Sequence, residues 1–410
     1  MWHLAGRRAG SEDRDGWCQR RWLVCLAAAG AGAGSSAFRP TAPQVVQPHA
    51  IYARGYQLLR DRLPDVYQAL LAAGVVEAPL WTQMPGSLAD TAARPGDEQL
   101  TALMTRRSTV DWVLQRTALA EPGVTVRCGV RVTGLSAVPG QRPHMTGVRT
   151  DREACAADLV IDATGRRSPI DRWLAEIGAQ PTATWRAECG LAYFSRHYRL
   201  RPGSKLPGLP TTRTVAGLSE FTVGILGRRQ RAMQLAVVPL DRDHRFRTVS
   251  IPRCSLPRCG RCPPCPSGWR CSTPSPRSCP WPDCTTPLRR LVVGGAPVAT
   301  GLHALGDSVC TTHPTLGRGL SLALWGAADL ADTLDTHVDD WSAQALVGDR
   351  SQSPSASWML LGGKSRRGGA ATALPASLAG SSRQSAWSLT VAETTCTSWQ
   401  RGQCGEPLQC

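Results

Sequence analysis

The sequence predicts an α/β protein with a second, sheet-rich unit, and three observations carry that prediction. Ala157-Asp158-Leu159-Val160-Ile161-Asp162-Ala163 is a short, nearly continuous apolar run followed by a helical stretch, Ser168 to Ile177, that ends at Gly178. Such a run suits a parallel strand buried on both faces. Gly301-Leu302-His303-Ala304-Leu305-Gly306-Asp307 repeats the theme: a short strand, a Gly-Asp turn, a loop containing Pro314, Gly317 and Gly319, then a long apolar helix from Leu320 to Leu334. Residues 185–250 instead hold alternating runs such as Ala232-Met233-Gln234-Leu235-Ala236-Val237-Val238, which predict a largely antiparallel sheet.

The remaining elements follow in order. Tyr56 to Leu63 has helical spacing. Pro64, suited to a first helical position, opens a second helix over Asp65–Ala73 that Gly74 closes. Ser108 with Asp111 three residues later has the form of a capping box and predicts a helix over Thr109–Ala120, with Val110, Val113, Leu114 and Ala118 on its apolar face. Val124–Arg127 and Val130–Thr133 alternate as strands.

A chain of 410 residues is long enough for one or two domains with a sizeable core. Its net charge of +16 would suit a nucleic-acid or membrane-surface protein, but the distribution argues against both. Residues 1–40 hold six Arg against three acids, 251–290 seven Arg against one Asp, and 351–410 five bases against two acids, so the rest of the chain carries only +4. The same three segments hold 12 of the 16 Cys. The centre is thus a near-neutral, Cys-poor globular sequence, and its expected partner is a small molecule, with neither nucleic acid nor membrane. The oligomeric state is left open.

The three basic segments are a different material. From Arg253 to Cys284 the chain has no apolar period of 2 or 3.6, and Arg, Cys, Pro, Ser and Trp dominate. Such a composition is what a GC-rich gene gives in a shifted reading frame. A one-base shift that restores an alternating apolar pattern would support that origin, and an unbroken frame in raw sequencing reads would exclude it. The expected organisation is an aberrant or disordered segment over 1–40, a discontinuous α/β domain over 41–180 and 291–345, a sheet-rich domain over 181–253, a Cys/Pro/Arg-rich insert over 254–290 and a low-order tail over 346–410. Cys254, Cys259, Cys262 and Cys265 have metal-ligand spacing, yet Pro263-Pro264 interrupts the loop and no second pair completes a tetrad, so no metal site is assigned.

The N-terminal run Trp22–Gly30 follows Arg20-Arg21 in the manner of a signal peptide and is far too short to span a bilayer. No disulfide framework follows, and the expected location is cytoplasmic. Gly30-Ala31-Gly32-Ala33-Gly34 approaches a dinucleotide-binding turn, but position 35 is Ser and no acid falls between residues 16 and 60. The first βαβ unit of such a domain is therefore expected to be degenerate or missing.

Three motifs stand in the order found in the FAD-dependent monooxygenases of the para-hydroxybenzoate hydroxylase type. Arg107-Ser108-Thr109-Val110-Asp111-Trp112-Val113-Leu114 resembles that family's arginine-led helix start. Asp162-Ala163-Thr164-Gly165 resembles its Asp-Gly motif, with Thr164 in place of an aspartate. Gly306-Asp307 through Pro314, Gly317 and Gly319 resembles its flavin-ribityl motif. Val132 matches, more softly, the position whose backbone meets the adenine. The resemblance implies an FAD-binding Rossmann-like domain with a sheet-rich substrate domain. It implies FAD as cofactor, NAD(P)H as co-substrate, and oxygen transfer to an aromatic or polycyclic small molecule. Arg107, Val132, Gly165, Gly306, Asp307, Pro314, Gly317 and Gly319 would then be cofactor-binding. No catalytic His, Asp or Ser set is expected, because the flavin bears the chemistry; His303 and His313 read as packing or loop residues. The alternatives are a flavin-dependent double-bond reductase, an inactive flavoprotein remnant, and a metal-binding Cys-cluster protein. A halogenase is disfavoured, since the only lysines are Lys205 and Lys364.

Overall fold

The computed structural model describes residues 2–5, 21–26, 45, 47–83, 92–192, 194–200, 212–216, 220–227, 232–240, 243, 269–271, 285–314, 317–337 and 340–347. The central sheet contains β1 (Trp2–Ala5), β2 (Arg21–Leu26), β6 (Val124–Val126), β10 (Leu159–Ala163) and β20 (Leu302–Ala304) in the order β20-β10-β2-β1-β6. β10 runs parallel to both β20 and β2, while β1 runs antiparallel to β2 and β6.

Two short stretches of the N-terminal segment therefore lie in this sheet. Arg21–Leu26 lies beside β10, with Leu159 opposite Trp22 and Ala163 opposite Leu26. A continuous apolar run is what a strand between two others requires, and it does not depend on the glycines or the acid absent downstream. Because β1 precedes β2 and opposes it, no βαβ crossover joins this pair among the described residues. Gly30–Gly34 lie outside them.

Period-2 alternation sends β10 to two cores. Leu159 and Ile161 pack with Leu330 and Leu334 of α5 (Gly319–Thr336). Val160 faces the other way, into a cluster with Leu135, Met145, Val148, Ile170, Trp173 and Leu302. That second layer is a three-stranded antiparallel sheet, β7 (Val132–Val138), β8 (His144–Thr150) and β9 (Ala154–Ala156), closed by α4 (Ile170–Glu176).

A third cluster joins three helices to another small sheet. β3 (Pro48–Ile51), β5 (Thr101–Arg106) and β4 (Val76–Pro79) pair antiparallel. Ile51 and Leu103 meet Leu59 of α1 (Ala53–Arg62), Leu70 of α2 (Pro64–Ala72) and Val110 of α3 (Arg107–Ala120). Pro64 occupies a first-turn position of α2, and Gly74 just beyond that helix has φ +89°. The expected capping box is absent. The helix begins two residues early, its N-cap is Arg106 with no side-chain cap, and Asp111 is held instead by Arg107 at 2.7 Å. An i,i+4 ion pair has taken the carboxylate that the cap would have used.

A five-stranded sheet is antiparallel, in the order β13 (Thr212–Ala216), β14 (Glu220–Gly227), β15 (Ala232–Pro239), β12 (Phe194–Leu200), β16 (Trp269–Cys271). It packs on β3 and β5. β11 (Ala183–Glu188) pairs along its length with β17 (Thr285–Arg290), and β18 (Val292–Val293) forms a small hairpin with β19 (Ala296–Pro297). Parts of the 1–40 segment and of the 254–290 insert supply strands β1, β2, β16 and β17. In β17 the cause is visible: Thr286, Leu288 and Arg289 are all buried. Residues 348–410, with nearly all of the expected tail, lie outside the described residues.

His303, at the centre of β20, is buried, and burial pushes its imidazole pKa down to about 4. The unfolded chain takes up the proton near pH 6.5 and the folded chain does not, so stability must fall as pH drops from 6.5 towards 4. The loss from this one residue is about 2 kcal/mol at pH 5. Urea unfolding at pH 7 and pH 5 should show His303→Leu losing less stability on acidification than the parent. Equal losses would mean that His303 does not titrate as described.

Candidate functional site

The site is built on two turns at the carboxyl ends of β10 and β20. After β20 the chain turns at Gly306, whose φ of +59° a side chain would strain. Gly306–Ser308 forms a 3₁₀ turn closed by Val309 and Cys310, whose amides each donate to the Gly306 carbonyl at 3.0 Å. After β10, Asp162 folds onto its own loop: its carboxylate accepts from the Thr164 amide, the Thr164 hydroxyl and the Ser168 hydroxyl. The Gly165 amide donates to Ser308 Oγ at 2.8 Å and ties the two turns together. Gly165 has φ +87° and open space where a Cβ would lie.

Asp307 is half-buried. Burial raises its pKa, and the cations Arg107 and Arg166 oppose that rise. No hydrogen bond reaches its carboxylate oxygens from the described residues. Arg107, at the head of α3, is fixed by Asp111 through Nε and acts on Asp307 through its field, without a direct ion pair.

His49 on β3 completes the group, and sequence reasoning did not single it out. Its Nδ1 lies 2.8 Å from the Gln47 carbonyl, which fixes that nitrogen as the donor. Burial, aided by Arg107, holds its pKa down to about 4, so the ring is neutral at physiological pH. The Gln47 side chain in turn accepts a hydrogen bond from Ser195 of β12, linking the five-stranded antiparallel sheet to His49. Nothing in the spacing around His49 marks it; only the pairing of β3 with β5 brings it near Arg107. Arg166 directly follows the Asp162–Gly165 motif and is not among the expected site residues either. Cys310, with its thiol pushed up to about 12 by burial and by Asp307, stays protonated.

The Pro314–Gly319 loop carries the start of α5. The Gly317 amide donates to the Pro314 carbonyl at 3.1 Å, and Gly317 has φ +61°. A Cβ there would lie 2.5 Å from Cε2 of Tyr52. Tyr52 is held to α5 through its amide, which donates to Ser321 Oγ at 2.9 Å. A Cβ on Gly306 would rest 3.5 Å from Ala323, so the Asp307 turn lies against the first turns of the same helix. Gly319 begins the helix beside Thr312. Gly317→Ala combines a left-handed backbone with a ring contact and should cost about 2 kcal/mol. Chemical denaturation measures that loss, and an unchanged midpoint would show that the loop moves away freely.

The structure thus gathers Arg107, Gly165, Gly306, Asp307, Pro314, Gly317 and Gly319 around two turns and one helix start. Val132 is placed elsewhere: it begins β7 opposite Thr150 and packs on the Leu135–Trp173 cluster. Cys254–Cys265, Lys205 and Lys364 fall outside the described residues. Among the described residues no group of three or more His, Cys, Asp or Glu is arranged to hold a metal, and no helix is long and apolar enough to cross a membrane.

With this geometry in hand, the architecture matches solved structures. PqsL of Pseudomonas aeruginosa, a FAD-dependent monooxygenase, aligns over 83% of this chain and 87% of its own, with TM-score 0.53 and 16% identity. The chain has a flavoprotein fold. The flavin-dependent brominase Bmp2 aligns over 76% of this chain and 74% of its own, with TM-score 0.51 and 15% identity. The Diels-Alderase PyrE3 aligns over 77% of this chain and 63% of its own, with TM-score 0.51 and 13% identity. Since these neighbours differ in the reactions they perform, a flavoprotein fold does not name the reaction. No protein-family model matches the chain. Over 184 residues it is 29% identical to Protein Rv3254 of Mycobacterium tuberculosis, a stretch that takes in 40% of this chain and 37% of that protein.

Proposed function

We propose that the chain is a FAD-dependent oxidoreductase of the para-hydroxybenzoate hydroxylase type, a monooxygenase that uses NAD(P)H and acts on an aromatic or polycyclic small molecule in the cytoplasm. The observation that carries this reading is Asp307: a half-buried carboxylate with no hydrogen-bond donor among the described residues, flanked by two arginines and by turns that only glycine adopts without strain. Such a group fits a ligand that brings hydroxyl donors together with negative charge. FAD has both, in its ribityl chain and its pyrophosphate.

Asp307 would accept from the polyol hydroxyls. Arg107 and Arg166 would offset the phosphates, with Arg107 already oriented by Asp111, so little ordering is needed on binding. Gly306 and Gly317 supply the left-handed backbone of these turns, and Gly317 also makes room for the Tyr52 ring. The flavin, when bound, supplies the redox chemistry, taking electrons from NAD(P)H and passing oxygen from O₂ to the substrate. The protein's share is to position and to exclude water. His49, neutral and anchored through Nδ1, offers a second acceptor on the edge nearest the five-stranded antiparallel sheet.

The deciding experiment is incubation of purified protein with FAD, followed by desalting and a visible absorption spectrum. Retained flavin absorption supports the reading; none would favour an inactive remnant. NADPH oxidation coupled to substrate-dependent oxygen uptake then separates a monooxygenase from a double-bond reductase, which oxidises NADPH without consuming oxygen.

A further inference from the structure

We infer that Arg289 is the positioning residue that sets the Asp307 turn, acting on it from the far side of the Cys-rich insert. Its guanidinium is buried, only 4% exposed, and reaches in two directions. Nε donates to both carboxylate oxygens of Asp171, at 3.0 and 3.1 Å, in the first turn of α4. Nη1 donates to the carbonyl of Ser308, the residue after Asp307. Main-chain bonds flank this contact on both sides: the Arg289 amide donates to Val309 O at 2.8 Å, and the Thr311 amide to Pro287 O at 3.0 Å. The chain leaving Asp307 is thus zipped onto β17, and the turn itself is gripped by one side chain.

Three features make this more than packing. A fork with two separate donor sites can hold Asp171 and Ser308 at once, whereas a lysine is a point charge with no planar fork. Ser308 is pinned from its other side by the Gly165 amide on Oγ, so its carbonyl and hydroxyl are held from opposite directions. Asp171 is itself oriented by the Thr182 hydroxyl at 2.7 Å. Arg289 therefore aligns the two turns that flank the candidate cofactor site, and does so without touching the cofactor.

The inference rests on the flavin reading for its binding arm and stands apart from it in its exchange arm. Arg289→Ala should weaken FAD binding by roughly 10-fold or more, Arg289→Lys should recover little of the loss, and added methylguanidine should restore much of it in Arg289→Ala. The same compound should do nothing for Asp307→Ala. Independently of any flavin, hydrogen exchange at the Val309 and Cys310 amides should quicken in Arg289→Ala and slow again with methylguanidine, while the amides of β10 stay protected. Asp171→Asn, a milder change, should show the same local effect in smaller degree and guards against an Arg289 variant that fails to fold. Unchanged exchange at Val309 and Cys310, or a uniform quickening across β10 as well, would overturn the assignment. If the parent protein binds no FAD but the exchange pattern appears and is rescued, the flavin reading has failed and the positioning role stands.

Discussion

Replacing Asp307 by alanine is expected to weaken FAD binding by about 10- to 100-fold, more than any other single side-chain truncation in the site. The carboxylate has no hydrogen-bond donor among the described residues, so a bound polyol would be its partner, and truncation would leave those hydroxyls unpaired at a cost of about 1–3 kcal/mol. Arg107→Ala should cost less, about 1 kcal/mol. Its guanidinium is a quarter exposed and already committed to Asp111, so its action on a ligand is a screened field. Fluorescence titration of FAD against both variants gives the order directly. Equal affinity of Asp307→Ala and the parent would remove the central support of the flavin reading, and a larger effect at Arg107 would move the anchor from the polyol to the phosphates.

The largest stability effect is expected away from the site, at Gly147→Ala. Gly147 sits on β8 opposite Ser136, next to a register shift in the β7–β8 ladder. Its φ is +147°, and a Cβ would fall 2.0 Å from the carbonyl oxygen of Cys155 on β9. Backbone strain and a backbone clash act together, and neither has a flexible side chain to absorb it, so roughly 3 kcal/mol or more should be lost. Gly134→Ala is the internal control. There the obstacle at 2.1 Å is the end of the Arg149 side chain, which can swing aside. A urea midpoint that falls clearly more for Gly147→Ala than for Gly134→Ala is the expected result. Equal shifts would show that β9 moves away and that the crowding is only local.

Much of this architecture was legible in the sequence, and the reasons are physical. β10 and β20 are short runs buried on both faces, and continuous apolarity is a strong signal. α2 and α5 were marked by Pro64 and by Gly319, backbone devices that leave few alternatives. The Gly306-Asp307 turn was legible for the same reason. What escaped depends on partners distant in sequence. The capping box at Ser108 failed because Arg107, one residue upstream, competes for Asp111. Arg21–Leu26 reads in the sequence as part of a signal-peptide-like run, and only its pairing with β10 marks it as a strand. His49 and Arg289 carry no local signature: one gains its neighbours from the β3–β5 pairing, the other from β17 lying against 309–311. A lone Arg at the edge of a basic, Cys-rich stretch reads as solvated charge, and only the fold shows it buried.

The β11–β17 ladder and the grip of Arg289 also bear on what the insert contributes. The contacts that join residues 285–347 to the earlier chain are non-covalent among the described residues, and they include the β11–β17 ladder, the parallel pairing of β20 with β10, the packing of α5 on α1, the Arg62–Asp332 fork and the Asp171–Arg289 pair. Scission of the peptide between residues 272 and 284 removes none of them. The two pieces should then remain together as a heterodimer, with the site shared between Arg107 on one polypeptide and Asp307 on the other.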